Sequence, residues 1–205
     1  MTPTAPPVPI AVFDLNQALY RKSSKEEFYK FICFKHETKL FNLVRQRLAG
    51  LAHRLGLMGQ TEFKENFFRY LDGLPPEKVA EYAREFWHIE YPKHFNAPLL
   101  TRLRELQRLG IDVWISSGAF EVYLLPLGEY LDITGLFGTR VAYRNGKYQV
   151  VGQANKDGEK IRRFDGHYGS GQYRIVEAYS DGDASLLAKA DKGYTVEPDG
   201  SWHLA

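Results

Sequence analysis

The sequence predicts an α/β fold, with three layers around a mainly parallel sheet and an all-helical subdomain inserted after the first strand. Three observations carry this. The apolar run PIAVFD (9–14) ends in an aspartate, the pattern of a buried strand feeding a loop. From about Ser24 to Gly110 the pattern is helical. After Gly110 strands and helices alternate, which favours a parallel sheet covered on both faces.

The opening MTPTAPPVPI carries four prolines and neither a basic n-region nor a long apolar core. Residues 1–8 therefore read as a flexible arm rather than a secretory signal. Ser24-Lys25-Glu26-Glu27 is a capping-box signature, and Phe28, Phe31 and Ile32 follow at helical spacing. Phe41, Val44, Leu48, Leu51 and Leu55 form a second apolar stripe, with Arg45, Arg47 and Arg54 elsewhere on the wheel. A basic amphipathic helix is compatible with peripheral membrane contact, but a core-facing helix with one solvated side is its ordinary form. Further helices are expected over 61–71 and 76–88, the second opened by Pro75-Pro76. Another is expected over 97–109, capped by Asn96 and stopped by Gly110.

Beyond Gly110, IDVWIS is a β-rich run ending at Ser116-Ser117-Gly118. VAYRNGKYQVVG reads as two strands around an Asn145-Gly146 hairpin turn. KDGEKIRRF reads as a helix, RIVEAYS as a strand ending at Ser180-Asp181-Gly182-Asp183, and GYTVEP as a last strand.

A chain of 205 residues suits one domain with an insert and can bury a real core. The net charge of +2 is too small to argue for nucleic acid, and the basic residues are scattered with no binding motif. The one cysteine, Cys33, excludes an intramolecular disulfide framework or a thiolate metal cluster and reads as a small buried hydrophobe. No run reaches the length of a membrane span, so a cytoplasmic protein is expected.

In parallel sheets ligands bind beyond the carboxyl ends of the strands. Here those ends carry Asp14, Ser116/Ser117 and Asp181. Two carboxylates at neighbouring strand ends are the minimum for holding a Mg²⁺ that also touches a phosphate. A hydroxyl at Ser117 and an ammonium at Lys160 could hold the other phosphate oxygens during phosphoryl transfer. A carboxylate such as Asp14 can itself attack phosphorus to give an aspartyl-phosphate. Each of these residues alone has an ordinary use as a turn, cap or surface residue. The ordered set is what points to a site.

The order Asp14, Ser117, Lys160, Asp181 resembles the haloacid dehalogenase (HAD) superfamily, most closely its phosphoserine-phosphatase-like branch. VFDLNQAL sits in the frame of that branch's first motif, DxDGT, and GIDVWISSGAFEVYLLPL follows its second. NKDGEKIRRF matches the third, EAYSDGDASLL the fourth, and GYTVEPDG the closing strand and loop, so the resemblance runs from residue 9 to about 200. It implies a Rossmann-like core from residues 9–20 and 97–205, and a helical cap over 21–96 that selects the leaving group. It implies a phosphatase acting on a small phosphorylated molecule with Mg²⁺ as cofactor. The catalytic residues would be Asp14, Asn16, Ser117 and Lys160, with Ser117, Gly118 and Lys160 on the substrate. The metal would be held by Asp14, the Asn16 carbonyl, Asp181 and Asp183. Ser116 is the alternative to Ser117.

Two motifs depart from the family pattern. The second aspartate of DxDGT, which protonates the leaving group and then activates water, is Asn16 here. An amide cannot exchange a proton near neutral pH, and general acid/base help is worth roughly 10²–10⁴ in rate. The following Gly-Thr is Gln17-Ala18. In motif four Asp181 is followed by Asp183 and Ser185, so either could stand for the second acid. The expected function is a Mg²⁺-dependent phosphomonoesterase working through Asp14. The alternative is a catalytically weak relative that binds a phosphorylated ligand or partner. Dehalogenation fits poorly, since it gives no reason to keep Asp181.

Overall fold

The computed structural model describes residues 6–36 and 69–205. Its centre is a six-stranded sheet of β1 (Val8–Phe13), β2 (Asp112–Phe120), β3 (Gly135–Thr139), β6 (Tyr173–Ser180), β7 (Lys192–Val196) and β8 (Trp202–Leu204). The spatial order is β3-β2-β1-β6-β7-β8, parallel throughout except for β8. Ile10 to Phe13 are wholly buried, as a strand covered on both faces must be. Phe13 pairs with Ile115 on one side and Tyr179 on the other, so Asp14 leaves the sheet beside Ser116 and Ser180.

The two faces carry two apolar clusters. One joins Phe13, Ile115, Leu99, Leu103 and Leu106, the other Ile10, Val12, Trp114, Phe164 and Leu186. The leucines of the first come from one face of α3 (Ala97–Arg108), whose N-terminus Asn96 caps by accepting from the Leu99 amide at 3.3 Å. Phe164 comes from α6 (Gly158–Tyr168) and Leu186 from α7 (Ala184–Lys189). The α/β, three-layer architecture expected from the sequence is what forms.

The chain leaves the sheet after β1 and returns through α3. Between them lie α1 (Ser24–Lys35), a 3-10 turn at Arg69–Leu71 and α2 (Pro76–Glu90), none of which adds a strand. The outgoing and returning segments pair, with the Asn96 amide on Leu19 O (2.9 Å) and the Arg21 amide on His94 O (3.0 Å). The helices share the core of the first sheet face. The Phe28 ring stacks on Tyr123 of α4 (Glu121–Leu124) at 4.7 Å, and Trp87 Nε1 donates to the Tyr123 carbonyl at 2.7 Å. Past α4, a 3-10 turn and α5 (Gly128–Leu131) lead into β3.

The hairpin of β4 (Val141–Arg144) and β5 (Lys147–Val150) turns at Asn145 and Gly146, both at positive φ, as their sequence predicts. It reaches across to the chain after the 3-10 turn. The Gly73 amide donates to Gly146 O at 2.7 Å and Tyr148 OH to Leu74 O at 3.0 Å.

Several local expectations are corrected. β3 and β8 form although neither was expected, and β2 runs on to Phe120. Val8 belongs to β1 rather than to the arm. The capping box at Ser24 does not form. Ser23 is the N-cap, it makes no side-chain capping bond, and the Ser24 amide is taken by the side chain of Asn16. Of the helix expected over 61–71, only the 3-10 turn falls in the described part. The stripe from Phe41 to Leu55, residues 61–68 and residues 1–5 lie outside the described residues. Cys33 is buried and forms no disulfide. Among the described residues no helix is long and apolar enough to cross a membrane.

Candidate active site

The carboxyl ends of β1, β2 and β6 bring together three of the expected groups, and the first turn of α6 brings the fourth. Asp14 is held from the backbone by its amide on Tyr179 O at 2.8 Å. Its Oδ1 accepts from the Leu15 amide at 2.8 Å. Its Oδ2 accepts from Lys160 Nζ at 2.7 Å and from Ser180 Oγ at 3.1 Å.

Lys160 is only 2% exposed, and its ammonium also lies 3.0 Å from Asp183 Oδ2. Burial works against the charge of this lysine, but Asp14 and Asp183 outweigh it and hold its pKa above the usual value. The site therefore contains a fixed positive charge. Asp183 uses its other oxygen locally, accepting from Ser185 Oγ (2.7 Å) and from the Leu186 amide (3.1 Å) as the N-cap of α7. Burial would raise Asp183, yet the Ser185 hydroxyl and Lys160 win and hold it below the ordinary carboxylate range. Asp181 goes the other way. Burial first, and then the charge of Asp14, push its carboxyl above the usual range.

Asn16 bridges two elements. Its Oδ1 accepts from the Ser24 amide at the start of α1 (2.8 Å), and its Nδ2 reaches Ser117 Oγ at 3.3 Å. A backbone amide can only donate, so the Ser24 contact fixes which way the side-chain amide faces. Gln17, where the family pattern has glycine, sits at φ 59°, a left-handed conformation that glycine adopts at less cost.

The two adjacent serines of β2 face different partners. Ser117 Oγ meets Asn16 and the Ala119 amide (3.2 Å), whereas Ser116 Oγ accepts from Asn155 Nδ2 at 3.1 Å. Asn155 is wholly buried, and its Nδ2 also reaches the carbonyls of Ser117 (3.0 Å) and Phe137 (3.1 Å), tying β2 to β3 below the site. At Gly118 a Cβ would stand 3.1 Å from Lys156 Cε, so the stem of Lys156 crosses the backbone beside Ser117.

Ser180, Asn155 and Lys156 are contributions that the sequence reading did not single out. Lys156 carries one signal, its place four residues before Lys160 in the same stretch. A lone serine before Asp181 carries none.

Among the described residues no cluster of three or more His, Cys, Asp or Glu is arranged to hold a metal ion. Asp181 makes no ion pair with another described residue, whereas both oxygens of Asp14 already accept hydrogen bonds. The upward push on Asp181 marks a place where an added positive charge is favourable. Mg²⁺ keeps several waters and is commonly bound through one or two carboxylates, so this donor set with a backbone carbonyl fits it.

The sequence model of the haloacid dehalogenase-like hydrolases matches residues 11–184, a span that contains every group described above but Ser185 and Leu186. No curated protein is similar in sequence. Among solved structures, a Bordetella pertussis Tohama I protein of unknown function is similar with a TM-score of 0.76 at 17% identity, over 93% of this chain and 90% of that one. A phosphoserine phosphohydrolase-like protein from Francisella tularensis subsp. tularensis SCHU S4 gives 0.62 at 19%, over 93% and 88%. A phosphoserine phosphatase solved as a phospho-aspartyl intermediate analogue gives 0.57 at 18%, over 92% and 86%. At these identities the likeness to solved structures is one of fold.

Proposed function

Because the chain belongs to the haloacid dehalogenase-like hydrolases, we propose that it is a Mg²⁺-dependent phosphomonoesterase acting through an aspartyl-phosphate on Asp14. The observation that carries this reading is the buried Lys160 ammonium, 2.7 Å from Asp14 and 3.0 Å from Asp183. Structural ion pairs of this kind are costly to bury, whereas a phosphoryl site needs one.

In this reading an Asp14 oxygen attacks phosphorus, the bond from phosphorus to the leaving oxygen breaks, and that oxygen takes a proton. Water then attacks the aspartyl-phosphate, releasing phosphate and restoring the carboxylate. Lys160 stays protonated and neutralises phosphoryl oxygens, while the Ser117 hydroxyl and Gly118 amide donate to them. Mg²⁺, held by Asp14, Asp181 and the Asn16 carbonyl, would supply the remaining charge neutralisation. Asp183 caps α7 with one oxygen and pairs with Lys160 through the other, so we assign it to holding Lys160 rather than to the metal. Residues 21–96 would act as the cap that admits the substrate, a small phosphorylated molecule of the cytoplasm.

Asn16 has no proton to give, and its amide is committed to Ser24 and Ser117. The leaving oxygen must therefore depart unaided or draw its proton from solvent, which favours substrates with acidic leaving groups. The same commitment favours a second reading, a relative that binds a phosphorylated ligand and turns it over poorly or not at all.

Purified protein with Mg²⁺ is to be assayed on p-nitrophenyl phosphate and a panel of phosphomonoesters, beside Asp14→Ala and Asn16→Asp. Turnover abolished by Asp14→Ala supports the enzyme. An inert wild type with an active Asn16→Asp supports the binder. Calorimetry that finds neither Mg²⁺ nor phosphate binding sinks both.

A further inference from the structure

A cavity of about 390 Å³ lies on the outer side of α6, beyond the edge strand β3. Glu159, Arg162, Arg163 and His167 line it from one stripe of the helix, and Gln153 and Arg140 close the other wall. Three guanidinium groups thus face one carboxylate. They are not equally free. Arg163 is engaged by Glu121 at 2.6 Å and by the Gly138 carbonyl, and it covers the Phe137 ring at 4.4 Å. Arg162 gives Nε and Nη2 to Glu159, both at 2.6 Å, which leaves Nη1. Arg140 is exposed and makes no ion pair with any described residue, and the Gln153 side chain has no hydrogen-bond partner among them.

We propose that this cavity is a second anion site, which takes a compact phosphate-bearing small molecule on Arg140, Arg162 and Gln153. A flat carboxylate is satisfied by one guanidinium fork, whereas a tetrahedral phosphate accepts from several directions at once. Here the donors converge from α6, from the end of β3 and from the loop before α6. The volume admits a diphosphate with part of its carrier. Gln153 lies two residues before Asn155, whose amide holds Ser116 and the Ser117 carbonyl, and Glu159 directly precedes Lys160. This inference stands independently of turnover at Asp14.

The test is calorimetry of the full chain with inorganic pyrophosphate and with citrate in metal-free buffer. The variants are Arg140→Ala/Arg162→Ala, Arg140→Lys and Lys160→Met. Arg140 is exposed, whereas Arg162 is 71% exposed but pairs with Glu159, whose side chain is only 7% exposed, so circular dichroism checks that every variant is folded, and Arg140→Lys keeps that pair intact. Expected is saturable pyrophosphate binding that survives Lys160→Met. It should weaken by at least about tenfold in the double variant, from the loss of charge-assisted hydrogen bonds, and by less in Arg140→Lys. In the wild type the amide resonances of Gly152 and Gly166 should shift on titration. Absence of saturable binding, an affinity indifferent to the arginines, loss of binding in Lys160→Met, or tighter binding of citrate would each overturn the assignment.

Discussion

Lys160 Nζ lies 2.7 Å from Asp14 Oδ2 although 146 positions of chain separate the two residues. The contact requires β1, the α6 turn and the sheet between them to be in register, and it ties the nucleophile candidate to a charge that burial alone would suppress. Lys160→Met keeps the length of the side chain and removes the charge. Turnover of p-nitrophenyl phosphate should fall by about 10²-fold or more, the scale of losing one preorganised electrostatic contact. Asp183 should lose part of the stabilisation of its ionised form, which its pKa by NMR titration will read as a rise.

Asn16→Asp restores a group that can move a proton while keeping an oxygen for the Ser24 amide. Alkyl phosphates should gain roughly 10²-fold and p-nitrophenyl phosphate much less, because only a poor leaving group needs the proton. The slope of log kcat/KM against leaving-group pKa measures this. It should be steep in wild type and shallower in the variant.

The parts of this fold that were legible in the sequence rest on strong local signals. β1 is an unbroken apolar run, Asn96 opens a helix of periodic leucines, and Asn145-Gly146 turns a hairpin. The motif residues Asp14, Ser117, Lys160 and Asp181 were found through their order and their places at element ends. What was missed depends on tertiary contact. β3 is short and carries two glycines, one packed under Trp114 and the other against the Ala119 carbonyl, so its residues show no strand pattern. The Ser24 capping box was overridden because Asn16, eight residues earlier, takes the amide that the box would have used. Ser180 faces Asp14 only because β1 and β6 are neighbours, which no local window reveals.

Ser180→Ala removes a wholly buried hydroxyl that donates to Asp14 and accepts from the amides of Gly182 (3.3 Å) and Asp183 (3.0 Å). Leaving these groups unpaired should cost about 1–3 kcal/mol in urea unfolding. The loop of Asp181 and Asp183 should loosen with it, and kcat should fall more than KM changes.

Glu177 gives the protein a defined acid sensitivity. Arg102 grips it with Nη2 at 2.7 Å and Nε at 3.1 Å, and Tyr179 OH donates at 2.6 Å. Burial pushes Glu177 up, but Arg102 and Tyr179 outweigh it and hold its pKa below the unfolded value. A depressed acid contributes stability above its unfolded pKa and loses it as pH falls through the folded one. Glu177→Gln should therefore be less stable than wild type at neutral pH, by about 2 kcal/mol. The gap should begin to narrow as pH falls into the ordinary glutamate range and close only below the lower pKa of the folded state. Thermal unfolding of both proteins from neutral to acid pH checks this.

The most direct test is to catch the covalent intermediate. The protein is mixed with Mg²⁺ and an aryl phosphate, quenched in acid and digested, and the peptide bearing Asp14 is weighed. An aspartyl-phosphate mechanism predicts one phosphoryl increment on Asp14, discharged by neutral hydroxylamine and absent from Asp14→Asn. Turnover of the aryl phosphate with no increment on Asp14, or with the increment on another residue, would contradict it.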